Sequence, residues 1–78
     1  MLDLKYFKDQ ICDELHGAKC YIQIAIETKT SNPMWSKAFV DMSATELGHA
    51  TNLYKMFEEY YQKMGTSYTI MPDFLKNC

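Results

Sequence analysis

Residues that break helices are scarce in this chain. It has three glycines and two prolines in 78 residues, and between Leu4 and Thr30 only Gly17 interrupts a helix-compatible run. An excess of basic charge is also missing. The formal net charge is −2, which argues against a nucleic-acid partner. No run is long and apolar enough to span a membrane, and no signal peptide precedes the first predicted helix. The chain therefore reads as cytoplasmic, with no membrane partner. Cysteine is limited to Cys12, Cys20 and Cys78, without a Cys-x-x-Cys pair, which excludes a zinc knuckle and a thioredoxin-type motif. Cys12 and Cys20 are eight residues apart on one predicted helix, too far along its axis to bridge. All three are expected as reduced thiols of a cytosolic protein. Internal repeats and low-complexity segments are absent too.

What is present is apolar surface, 47% of residues with 14% aromatic. That is too rich for a disordered chain and more than a two-helix object hides alone. Chains this short commonly lean on a metal, disulfides or a partner subunit, so self-association is the expectation. Asp3 is an N-cap candidate, with Leu2 and Phe7 as a hydrophobic staple. A first helix is predicted from Leu4 to about Thr30. Gly17 costs it about 1 kcal/mol against alanine, and the spacing leaves open whether it marks a close approach of another helix or is simply tolerated. Thr30-Ser31-Asn32-Pro33 breaks the run. Asn32 caps a second helix, Pro33 takes its first position, and Gly65 stops it after about Met64. So short a connection makes an antiparallel hairpin. Residues 1–65 form this unit, and residues 66–78 an irregular tail whose Tyr68, Ile70 and Phe74 are expected to pack on a neighbour.

Three ionisable groups stand out against the helical periodicity. Strides of three and four residues collect Phe7, Ile11, Glu14, Ala18, Tyr21 and Ala25 on the first helix. On the second they collect Trp35, Phe39, Met42, Glu46, His49, Leu53, Met56 and Tyr60. Such stripes mark the inward seam of packed helices, with Met42 and Met56 as core fillers. A charge in such a seam neutralises, pairs or binds a metal. If the hairpin bends near Asn32, Glu14, Glu46 and His49 all fall at one depth, roughly 25 Å from the bend at 1.5 Å per residue. Carboxylate oxygen with imidazole favours iron, manganese or zinc.

One hairpin supplies only two carboxylates and one imidazole. A two-fold homodimer doubles these to the ligand set of di-iron carboxylate bundles, and builds the four-helix bundle at the same time. Glu14, Ala18, Tyr21 and Ala25, then Phe39, Glu46-x-x-His49-Ala50 and Leu53, resemble the first helix pair of rubrerythrin and other ferritin-like proteins. The resemblance spans Leu4 to Met64. It implies an all-α ferritin-like fold, two iron ions per dimer, and iron oxidation or peroxide reduction, the latter with an external electron donor. Rubrerythrins also carry a second helix pair and a four-cysteine rubredoxin centre, which this chain is expected to lack. Its single-hairpin plan is similar to that of encapsulated ferritins, which build their iron site between subunits, although the tail holds no recognisable shell-docking peptide.

Other polar residues have plainer readings. Tyr21 is read either as a hydrogen-bond partner of a ligand carboxylate or as a core tyrosine. His16 is read as a surface histidine, Glu27, Glu58 and Glu59 as solvated, and Tyr54 and Tyr61 as packing residues. The competing function is a non-catalytic hairpin that assembles into a bundle, with Glu14, Glu46 and His49 as a metal-free polar cluster holding register. A third is a subunit completed by a different hairpin.

Overall fold

The computed structural model describes residues 3–63 together with Cys78. The described chain is all-helical, with α1 over Leu4–Thr28 and α2 over Pro33–Lys63. Both N-termini form as the sequence predicts. The Asp3 carboxylate accepts from the Tyr6 amide at 2.8 Å, and the Asn32 side-chain carbonyl accepts from the Trp35 amide at 3.2 Å. Each satisfies a donor that the first helical turn leaves orphaned. α1 stops two residues short of the expected Thr30. There the Thr28 hydroxyl donates to the Ile24 carbonyl at 2.8 Å, while the Asn32 amide turns back to the Thr28 carbonyl at 2.8 Å. The Leu2 staple, the Gly65 stop and the packing of the tail lie outside the described residues.

The two helices pack against each other through a seam that changes character along its length. Toward the bend it is built of small residues. Ser36 donates to the Ala25 carbonyl at 2.6 Å and Ser43 to the Ala18 carbonyl at 2.8 Å. Ala18, Ala25 and Ser43 are buried, and residues this small let the backbones come close enough for a hydroxyl to reach across. Seven residues further along each helix, Ile11 and Ala50 lie in the core, and beyond them aromatic rings fill the seam. Phe7 meets Phe57 edge-on at 5.6 Å, and Phe57 meets Tyr61 at 4.5 Å. Tyr54, Tyr60 and Tyr61 pack around this cluster.

The α1 stripe lies in the seam as expected, with Phe7, Ile11, Ala18 and Ala25 buried. The α2 stripe is half corrected. Its inward residues are Ser36, Ser43, Ala50 and Phe57, alternating with Phe39, Glu46, Leu53 and Tyr60. Trp35, Met42 and Met56 remain 62%, 42% and 50% exposed, so the methionines are not fillers of this core. Two helices bury one narrow strip each, and the small residues at 36, 43 and 50 win that strip by allowing close approach.

The cysteine expectation is also corrected. Cys12 and Cys78 form a disulfide, with their Cα atoms 4.9 Å apart, and Cys20 alone is free. Partners separated by 66 residues have no spacing signature, because tertiary structure brings them together. Bonds of this kind persist in oxidising surroundings, so the cysteines do not support the cytosolic reading. No described helix is long and apolar enough to cross a membrane.

Two outcomes check this packing. Phe57, only 1% exposed, costs about 3–5 kcal/mol when cut to alanine. Met34→Ala, at a residue 83% exposed, stays within about 0.5 kcal/mol, both read from urea unfolding of the oxidised protein. Thiol titration of the denatured, unreduced chain finds one thiol and after reduction three. Reduction lowers stability by about 2–4 kcal/mol.

Candidate metal centre

Glu14 lies on the third turn of α1, and Glu46 and His49 on successive turns of α2. The serine–carbonyl pairs set the register of the helices, and that register brings these side chains to one level. One possible ligand atom from each lies within 4.8 Å of the other two. His49 Nδ1 stands 3.4 Å from Glu14 Oε2. The equal depth expected from the hairpin is therefore realised.

Their orientation differs in one respect from the expectation that all three face inward. Glu14 and Glu46 are half-buried at the seam. The His49 side chain is 53% exposed, against 25% for Glu14. His49 shares the exposed flank of α2 with Trp35, Met42 and Met56, spaced seven residues apart along the helix. The cluster therefore opens on a flank with large apolar side chains above and below it. Trp35, Phe39 and Met42 line a shallow apolar hollow on the bend side.

The two carboxylates are close enough to share a proton. Its hydrogen bond with Glu46 holds Glu14 below the ordinary glutamate range, and His49 adds to the effect; burial opposes it. Glu46 is raised, first by the hydrogen bond it makes to Glu14, then by burial and by the Glu14 charge. Two like charges this close cannot both ionise freely. The pair thus divides its affinity for a proton, Glu46 favoured in its protonated form and Glu14 in its ionised form.

The donor set fits a first-row divalent ion. Oxygen and imidazole ligands stand about 2.0–2.2 Å from such ions, and thus at most about 4.4 Å from one another. A spread of 4.8 Å closes to that with a small rotamer shift. Three ligands leave coordination positions open.

The remaining residues fall out as follows. Tyr21 stacks on Phe39, with ring centroids 6.1 Å apart. Among the described residues its hydroxyl makes no hydrogen bond to Glu14 or Glu46. His16 is exposed as expected, its Nε2 3.6 Å from Cys20 Sγ, and Glu27 and Glu59 are exposed. Glu58 is half-buried, at the edge of the groove that Ile11, Leu15 and Leu47 line on the other side of the hairpin. Ser36 and Ser43 went unnoticed in the sequence, although their seven-residue spacing to Ala50 and Phe57 carried the signal.

The raised Glu46 and depressed Glu14 pull pH dependence in opposite directions. Glu46 contributes stability below the unfolded carboxylate range and loses it as pH rises through its raised folded pKa. Glu14 contributes above that range and loses it as pH falls. Glu46→Gln mimics the protonated carboxyl. In metal-free protein it melts close to the wild type near pH 4 and above it near pH 7. A melting difference independent of pH refutes the shared proton.

The rubrerythrin family profile matches residues 5–74. No curated protein and no solved structure matches the chain. The matched span covers all but the first residue of the two helices and all three converging side chains, and the chain belongs to the rubrerythrin family, within the ferritin-like superfamily.

Proposed function

We propose that this chain provides half of a carboxylate-bridged metal centre, completed when two hairpins meet across the Trp35–Met56 flank. One observation carries the reading. Three side chains of metal-ligand type converge within 4.8 Å, open toward a flank whose apolar residues stay exposed in a single chain. A second copy on that flank covers Trp35, Met42 and Met56 and brings a second Glu14, Glu46 and His49 to the first. The product is a four-helix bundle with four glutamates and two histidines. Membership of the rubrerythrin family supports iron as the metal, with manganese or zinc as other fits to the donor set.

In this reading Glu14 and Glu46 chelate or bridge, and His49 fixes one ion per subunit. Bound iron supplies redox chemistry toward oxygen or peroxide, as a ferroxidase or as a peroxide reductase fed by an external electron donor. The chain's own contribution is arrangement. Glu14 is held ionised and ready to ligate. Glu46 gives up its proton when a cation takes the proton's place beside Glu14. Trp35, Phe39 and Met42 shield the bend side from water once a second copy covers them, and Tyr21, braced on Phe39, stands two turns from Glu14 toward the bend.

A second reading is favoured by the contact of His49 Nδ1 with Glu14 Oε2 at 3.4 Å, a pairing within the cluster that needs no ion. Among the described residues no buried side-chain polar atom lacks a partner. The chain is then a non-catalytic assembly hairpin that uses the cluster to hold register.

Metal analysis and light scattering separate the two. Protein from iron-supplemented cells is expected to carry about one metal ion per chain, as in carboxylate bundles, and to run at twice the 9.1 kDa chain mass. Glu46→Ala empties it. Metal held at about 100 Kd adds about 2.7 kcal/mol to stability, which a chelator removes. Metal below about a tenth of an equivalent per chain, with melting unchanged by chelator, leaves the assembly reading in place.

A further inference from the structure

Gly17 and Gly48 both sit inside long helices, where glycine costs about 1 kcal/mol relative to alanine. Their surroundings differ. A Cβ on Gly48 meets nothing within 4 Å, and nothing in the structure explains that glycine. A Cβ on Gly17 meets Glu46 Oε2 at 3.3 Å, Cδ at 3.6 Å and Cγ at 3.7 Å. All three contacts belong to one side chain, and that side chain is a member of the convergent cluster.

We infer that Gly17 is a positioning residue for Glu46, its missing side chain leaving the bare stretch of α1 across which the Glu46 carboxylate lies to reach Glu14. Gly17 follows Glu14 by three residues, so it occupies the next turn on the same side of α1. Glu46 crosses from α2 at that level. An oxygen at 3.3 Å from a methyl carbon is pressed closer than ordinary contact, and a glutamate relieves such pressure by rotating. Rotation shifts its Oε2 from the place it holds in the cluster with Glu14 and His49. The hairpin itself has no need to move, because the pressure falls on the flexible end of one side chain and not on backbone. Gly17 thus spends helix stability on site geometry, while Gly48 is free of any such constraint. The inference rests on the metal reading above and deepens it, by naming what keeps the second carboxylate within ligand distance.

The test compares Gly17→Ala, Gly17→Val and Gly48→Ala in the full-length, disulfide-bonded protein. Cobalt(II) is the probe, with its visible absorption spectrum read during titration, and melting in chelator is recorded alongside. Gly17→Ala is expected to melt in chelator no lower than the wild type. It is expected to bind cobalt about 10–100-fold more weakly, with an altered spectrum, and Gly17→Val to bind more weakly still. Gly48→Ala is expected to keep wild-type affinity and spectrum. Wild-type affinity and spectrum in Gly17→Ala overturn the inference. So does weak binding in a variant whose metal-free helix content and melting temperature have also fallen, since the glycine is then structural. A wild type that binds no cobalt overturns the metal reading itself, and the positioning role goes with it.

Discussion

Two hydroxyl-to-carbonyl bonds hold the register on which the rest of this hairpin depends. Ser36 reaches Ala25 at 2.6 Å and Ser43 reaches Ala18 at 2.8 Å. Each needs a small residue on both helices, because a larger side chain at any of the four positions would push the backbones beyond hydroxyl reach. Carried on by seven residues, the register sets Ile11 by Ala50 in the core, and a further turn or two brings Phe7 and Phe57 together edge to face. It also sets Glu14 level with Glu46 and His49. A slip of one residue would turn a whole row of side chains off the seam, and the three ligand-type groups would part.

That narrow seam has a second consequence. Small residues near the bend draw the helices together, so the strip they bury is only wide enough for one row of α2 and its immediate neighbour. The row bearing Trp35, Met42, His49 and Met56 is left on the flank. That row is apolar apart from His49, and the carboxylates sit at its edge. In an isolated hairpin this is costly surface left in water. In the proposed dimer a second hairpin laid on it would remove that cost and bring further ligands to the carboxylates, so apolar burial and site assembly would draw on the same contact.

Electrostatics within the cluster point the same way. Glu14 and Glu46 are pushed apart in their affinity for a proton because one hydrogen bond serves both. A divalent cation held by both would answer the same repulsion more completely than a proton does. Gly17 belongs to this economy, since it allows the carboxylates to come close in the first place.

Periodicity and capping chemistry alone determined the helical hairpin, its caps at Asp3 and Asn32, the inward stripe of α1, and the three residues that converge. Those features depend on neighbours three or four positions away along the chain, or on equal counts from one bend, and such information is local. Which row of α2 faces α1 was decided only by tertiary structure, because Trp35, Met42 and Met56 fit a hydrophobic stripe as well as Ser36, Ser43 and Ala50 do. Close packing against Ala18 and Ala25 broke the tie in favour of the small residues. The Cys12–Cys78 bond and the space that Gly17 leaves for Glu46 were likewise invisible in one dimension. Each is a contact between residues distant in sequence, and only the folded chain brings them within reach.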